Sequence, residues 1–209
     1  MVNLEGQPSP AMLSWLSAAE RAKASRFVFG RDRRRYEAAH TMLRQLLAPR
    51  TGVAPQDLQF FEGPFGKPAP CPPCECVFNL SHSEDDAAVL IAAQGEIGVD
   101  IEALRSMPDA QDLAQRNFSA EECSALGDID PALSDQAFLT GWTRKEACLK
   151  AIGSGLSIAP RTFTAGIAHD ALRTRIATPQ GIADVAVQSF CHEQRLLVAW
   201  ARVLDVRPA

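Results

Sequence analysis

Phe138-Leu-Thr-Gly-Trp142-Thr-Arg-Lys145-Glu146-Ala-Cys-Leu149-Lys150-Ala-Ile152 is the stretch around which the remainder of the chain is arranged. At helical spacing Phe138, Trp142, Leu149 and Ile152 fall on one stripe, which predicts an amphipathic helix. Lys145 sits inside that stripe, between Trp142 and Leu149. Glu146 and Lys150 lie along its border, one turn apart. One reading is a snorkelling lysine beside an i,i+4 Glu–Lys pair, a pair worth roughly 0.2–0.5 kcal/mol. The other is an acid and two bases held on a rigid element that faces a cleft.

Upstream, Glu96-Ile97-Gly98-Val99-Asp100-Ile101-Glu102 alternates as a strand. Ile97, Val99 and Ile101 point one way, and Gly98, Asp100 and Glu102 point the other. Two carboxylates at i,i+2 have roots about 6.6–6.8 Å apart. Unpaired they repel, and both are poor strand residues. A hard divalent cation removes both objections, since Mg²⁺ takes one or two carboxylates and fills its other positions with water and phosphate oxygens. Gly98 on the same face would leave room for a ligand. The wet face of an antiparallel strand is the alternative. If a third carboxylate joins the pair, Glu146 is the best-placed acid on a rigid element.

The remaining elements follow from local signals. Val2–Leu4 reads as a short strand, and a helix starts within Ser9–Leu13. Ser17-Ala-Ala-Glu20 has the spacing of a capping box. A second helix spans about Asp32–Ala48, with Pro49 beyond its end and Arg33, Arg34, Arg35 and Arg44 on its exposed side. Leu58–Phe61, Val77–Leu80 and Ala87–Ala93 read as strands, the second ending at Ser81-His82-Ser83. Gly63–Pro68 is a turn presenting Lys67, and Pro68–Pro73 an exposed loop. Gln111–Asn117 is helical, and Ser119–Glu122 is another capping box, stapled by Phe118. Gly153 caps the helix that begins at Phe138. Phe163–Ile167, Leu172–Ile176, Val185–Phe190 and Leu196–Trp200 complete the list of strands. Helices, strands, helices, strands is the order of two α+β halves, residues 1–94 and 95–209.

Bulk properties narrow the class. With 209 residues, 46% hydrophobic and 22% charged, the chain suits one large domain or two small ones. No apolar run approaches the roughly 18–20 residues of a membrane span, and the N-terminus carries no signal-peptide pattern. A cytoplasmic protein is expected. The net charge of −4 hides an asymmetry: Glu20–Arg50 holds nine Lys/Arg against three Asp/Glu. A basic segment on an acidic body points to a discrete anion site rather than to nucleic-acid coating. Six cysteines include Cys71, Cys74 and Cys76, with no second CxxC or HxxxH to close a zinc tetrahedron. Incidental surface cysteines are expected there, with a zinc or redox thiol protein as the competing reading.

Phe78-Asn-Leu-Ser81-His82-Ser83, Ile97-Gly98-Val99-Asp100-Ile101-Glu102 and Trp142-Thr-Arg-Lys145-Glu146-Ala-Cys-Leu-Lys150 resemble, in order and interval, the surfactin-type 4′-phosphopantetheinyl transferases. The Trp-x-x-Lys-Glu-Ala form is similar to one of that family's two main branches. Gly66-Lys67-Pro68, Arg116–Glu122 and Gly153–Ser157 add to the likeness, which runs from about Ser17 to Ile167. The resemblance implies an α+β pseudodimer within one chain: two similar halves, each an antiparallel sheet packed with helices, the active site between them, acting as a monomer. It implies transfer of the phosphopantetheine arm of coenzyme A to a serine of an apo acyl, peptidyl or aryl carrier protein, releasing adenosine 3′,5′-bisphosphate. The resemblance leaves fatty acid, polyketide, nonribosomal peptide and lysine pathways open. Asp100, Glu102 and Glu146 would hold Mg²⁺, Glu146 would take the proton of the carrier serine, and Lys150 would serve the leaving phosphate. Lys145, Lys67, Ser81 and His82 would contact phosphates or the nucleotide end. Lys23 would pair with the 3′-phosphate, and Arg35 would sit near the same cleft. No nucleic-acid or membrane partner is implied. A coenzyme A-binding protein without catalysis is the alternative. The chain departs from the family at its short first strand, at Glu20 and Tyr36, and in the Cys-Pro-Pro-Cys-Glu-Cys loop.

Overall fold

A computed structural model of the chain describes every residue except Pro64, Phe65, Pro73 and Ala209, together with all side chains of the rest but that of Leu156. The chain divides into two compact units, Met1–Gln94 with a three-stranded antiparallel sheet, a two-stranded ribbon and helices, and Gly95–Ala209 with a four-stranded antiparallel sheet and helices.

The N-terminal unit runs β1 (Val2–Asn3), α1 (Pro10–Ser14), α2 (Ala18–Ala24), α3 (Gly30–Thr51), β2 (Phe60–Glu62), β3 (Pro68–Pro70), β4 (Val77–Ser83) and β5 (Asp86–Ala92). The expected capping box opens α2: Ser17 Oγ accepts from Glu20 N–H and the Glu20 carboxylate accepts from Ser17 N–H. Its sheet has the order β1-β5-β4. Helix α3 packs through Ala38 and Ala39 against Leu4 and Ala87, and through Leu43 and Leu47 against Leu58 and Phe78. Three expectations need correction here. Helix α3 does not stop before Pro49 but continues to a left-handed cap at Gly52, with the proline in its last turn. Arg44 is not on the exposed side; it is 1% exposed and donates to the Pro55 and Leu58 carbonyls. The proline-rich loop contains β3, which pairs with β2 through Phe60↔Pro70 and Glu62↔Pro68. Prolines are compatible with a two-stranded ribbon because each strand there has one open edge.

The C-terminal unit runs β6 (Ile97–Ala103), α4 (Ala110–Asn117), α5 (Ala120–Gly127), α6 (Ser134–Ile152), β7 (Leu172–Thr178), β8 (Gly181–His192) and β9 (Leu196–Arg207). The strands form one sheet in the order β6-β9-β8-β7, antiparallel throughout. Helix α6 packs on this sheet, its Ala147, Cys148 and Ala151 meeting Val185, Val187 and Ala199. Small residues on α6 and β-branched ones on β8 let helix and sheet approach closely. At the other end of α6, Phe118 stacks on Phe138 with centroids 5.2 Å apart. Gly141 makes space for that ring, since a Cβ there would lie 2.8 Å from it.

Phe163–Ile167, expected as a strand, is irregular. Its backbone groups are satisfied by side chains instead of a neighbouring strand. Glu122 accepts from the N–H of Ala165 and Gly166, while Arg144 and Lys145 donate to the carbonyls of Ala165 and Phe163. Among the described residues, no helix is long and apolar enough to cross a membrane.

Candidate active site

Helix α6 is buried almost all round rather than along one stripe. From Ala137 to Lys150 only Trp142, Glu146 and Lys150 are not fully buried. These are i, i+4 and i+8, so they form a single line along the helix. The sequence therefore spends its one accessible face on an aromatic ring, an acid and a base.

Strand β6 supplies what lies opposite. Gly98 is the point of closest approach, where a Cβ would stand 2.2 Å from the Ala147 carbonyl oxygen and 2.3 Å from the Ala151 nitrogen. The space at Gly98 is thus taken by α6 itself, not left for a ligand as the sequence suggested. Because side chains alternate along a strand, Asp100 and Glu102 share the face that Gly98 presents to the helix. Lys150 Nζ lies 2.6 Å from Asp100 Oδ1, with Asp100 8% exposed and Lys150 30%. Glu102 accepts from Arg105 Nη1 at 2.7 Å. Burial raises the Glu146 carboxyl above its ordinary range. The negative charge of Asp100 pushes the same way, the ammonium of Lys150 partly offsets it, and Glu102 adds a smaller push. The three acids thus act on one another from two elements far apart in sequence. A carboxylate whose pKa is raised is a stronger base than an ordinary one.

Lys145 is elsewhere, and its expected phosphate contact must be corrected. Its side chain is 0% exposed and paired with Glu122 at 2.7 Å. It also donates to the carbonyls of Pro160 and Phe163 at 2.8 and 2.6 Å. An ammonium has three N–H donors, so these partners saturate it. Arg144 is equally buried, donating to the carbonyls of Ala165, Ala168 and Asp170 and to Ser189 Oγ. Both cations tie the segment after α6 to the helix.

In the N-terminal unit, a cleft of about 430 Å³ is lined by Glu20, Lys23, Tyr36, His40, Arg44 and Phe60 among others. Lys23 Nζ stands 5.5 Å from the centre of the Tyr36 ring, which stacks on His40 at 4.0 Å. Glu20 is more than a cap. Its carboxylate accepts from Arg44 Nη2 at 2.6 Å and lies 3.1 Å from His40 Nδ1. Burial alone would raise its pKa, yet these hydrogen bonds, the Ser17 N–H and the Arg44 charge hold it at about 2. Burial, then the charges of Glu20 and Glu62, pushes the Tyr36 phenol up to about 12. Gly66, beside Lys67, also lines the cleft. Lys67 is half-buried, Ser81 is buried and His82 exposed on β4. Pro64 and Phe65, within the expected turn before Lys67, lie outside the described residues. Arg35 donates twice to Asp85, at 2.8 Å each, and holds that carboxyl below its usual range. The Glu20–Arg44 pair was not anticipated; its only sequence signal is a capping-box acid followed by an arginine on the next helix.

All six cysteines are free thiols. Cys74 and Cys76 are not incidental surface groups but pack against the Leu43–Leu47–Leu58–Phe78 cluster. Burial raises the Cys76 thiol, which suppresses the thiolate that metals and oxidants need. Among the described residues, no three His, Cys, Asp or Glu side chains are grouped closely enough to cage a metal ion. Mg²⁺ needs fewer protein ligands than such a cage, one or two carboxylates with water and phosphate oxygens completing its shell.

Comparison with known proteins shows the family. Residues 96–201 match the family described as the 4′-phosphopantetheinyl transferase superfamily, and residues 7–96 match the N-terminal region of such transferases. The transferase HetI of Nostoc sp. (strain PCC 7120) is 37% identical over 145 residues, covering 68% of this chain and 61% of HetI. The transferase psf-1 of Bacillus pumilus is 30% identical over 176 residues, 84% of this chain and 74% of that protein. A 4′-phosphopantetheinyl transferase of Bacillus subtilis is 29% identical over 189 residues, 90% of this chain and 82% of that protein. The match to HetI spans about three fifths of that relative's length. The chain belongs to the 4′-phosphopantetheinyl transferase superfamily.

Proposed function

We propose that the protein transfers the 4′-phosphopantetheine group of coenzyme A to a serine hydroxyl of an apo carrier protein, with Mg²⁺, and releases adenosine 3′,5′-bisphosphate. The observation that carries this reading is the line Glu146–Lys150 on α6 set against Asp100 on β6. Phosphoryl transfer needs charge placement more than covalent chemistry, and this line offers a base, a cation and carboxylates within one unit.

Each residue then has a task. Glu146, its pKa raised, takes the proton from the acceptor hydroxyl. Lys150 faces the phosphate that departs; its bond to Asp100 fixes the ammonium in place beforehand. Asp100, Glu102 and Glu146 are the residues that would hold Mg²⁺, which when bound neutralises the diphosphate of coenzyme A. Lys23, Lys67, Ser81, His82 and Arg35 of the N-terminal unit serve the nucleotide end. Of these, Lys23 has the clearest support, since it lines a cleft with an aromatic wall. Arg35 acts through Asp85, as a residue that positions the β4–β5 turn. The protein works as a cytoplasmic monomer on carrier proteins of the acyl, peptidyl or aryl class, without nucleic-acid or membrane partners.

Mass spectrometry of an apo carrier protein incubated with the chain, coenzyme A and Mg²⁺ tests the reading. A gain of one phosphopantetheine mass is expected. Binding of coenzyme A with no mass gain on carriers of all three classes would instead make this a coenzyme A-binding protein without catalysis.

A further inference from the structure

Between α2 and α3 the N-terminal unit displays an exposed apolar ridge. Residues Ser25–Arg31 are exposed without interruption. At their centre Val28 is 90% and Phe29 66% exposed, more than any other large apolar side chain among those described. Phe27, 38% exposed, rests against Tyr36 with ring centroids 5.4 Å apart.

The start of α3 flanks this ridge. Phe29 is the N-cap of the 22-residue α3 and makes no side-chain cap hydrogen bond, as at α4 and α6 and unlike α2 and α5, which begin with capping boxes. The first turn of α3 carries Asp32, as the helix dipole favours, with Arg31 and Arg33 on either side of it. Their side chains are 64% and 56% exposed; Arg31 meets Asp32 only in a 3.5 Å surface pair of the weak, exchangeable kind, while Arg33 is anchored at 2.7 Å on the largely buried Glu37. Apolar and cationic groups thus stand side by side at this corner. Large exposed apolar groups with no role in the fold mark intermolecular contacts.

We propose that Phe27-Val28-Phe29, ringed by Arg26, Arg31 and Arg33, is a docking surface for the carrier protein, bound through an acidic face that bears an apolar patch. This rests on the transferase reading. Charge selects the partner: the chain carries a net charge of −4, so an acidic protein is repelled by most of it and can land on this basic segment. The ridge is also continuous with the cleft wall, because Tyr36 touches Phe27 and lines the cleft. A lipid surface fits less well, since three apolar residues on an acidic chain provide little insertion and no net attraction to anionic lipid.

Binding of a fluorescently labelled apo carrier protein by anisotropy tests the surface, with turnover and thermal melts alongside. Phe29→Ser supplies the missing N-cap and is expected to fold at least as stably as the wild type. Phe29→Ser and Val28→Asp should each raise the carrier Kd and KM about tenfold, as loss of an interface anchor does, with the KM for coenzyme A unchanged. Arg26→Glu should weaken binding most at low salt. Unchanged carrier affinity in the folded variants overturns the proposal. So does wild-type binding to phosphatidylglycerol vesicles that the variants lose while carrier affinity stays the same. Carrier binding that behaves as expected without any phosphopantetheine transfer would uphold the surface and sink the transferase reading.

Discussion

Lys145 Nζ lies 2.7 Å from Glu122 Oε2, and neither side chain reaches solvent. The pair joins α6 to the start of α5 and to the segment after α6, because Glu122 also accepts three backbone N–H groups, from Ser119, Ala165 and Gly166. Removing one partner strands a buried charge. Lys145→Ala should therefore cost about 3–5 kcal/mol, read as a lower urea midpoint. A variant within about 0.5 kcal/mol of the wild type would contradict this placement.

Gly98 sets the distance between β6 and α6. A methyl group there meets backbone at 2.2 Å, which no side-chain rotation relieves. Gly98→Ala should destabilise by about 3 kcal/mol, at the upper end of overpacking costs. It should also displace Glu146 and Lys150 from Asp100, so turnover should fall further than stability alone explains. Full turnover at unchanged Tm would show that the helix can stand off without consequence.

Glu20 links stability to acid pH. Its pKa is about 2 in the folded protein against an ordinary 4.5. A depressed carboxylate contributes stability that is fully present above its unfolded pKa and is lost as pH falls through the folded value. The window is therefore about pH 4.5 down to about 2. Acid titration of the wild type and Glu20→Gln should show a stability gap at neutral pH that closes across this window. A gap independent of pH would mean the carboxylate is not what Arg44 and His40 hold.

Lys23 is the accessible cation of the cleft, since Arg44 is spent on Glu20 and two carbonyls. Lys23→Ala should raise the KM for coenzyme A about tenfold, as loss of one charge-assisted contact of 1.5–3 kcal/mol implies, and leave the melting temperature unchanged. An unaltered KM would move the nucleotide end away from this cleft.

Much of this architecture is legible from local signals. The capping boxes at Ser17 and Ser119, the glycine cap at Gly153 and the strand β6 all form where the residues indicate. What was not legible depends on partners distant in sequence. Lys145 resembled a snorkelling or ligand-binding lysine because Glu122, 23 positions away, carries no mark of facing it. Phe163–Ile167 alternates like a strand, but three charged side chains satisfy its backbone first. Proline in β3 argues against pairing only where both edges are used. The line Trp142–Glu146–Lys150 could be drawn from spacing, yet only the burial of every neighbour shows that it is the accessible one.

Turnover of Glu146→Gln, measured beside its affinity for coenzyme A, tests the site most directly. The substitution keeps the side chain's size and removes both the charge and the base. Phosphopantetheine transfer should fall by at least about 100-fold, the lower end of what a general base contributes, while coenzyme A still binds. Transfer at the wild-type rate would show that the acid on α6 takes no part in the chemistry.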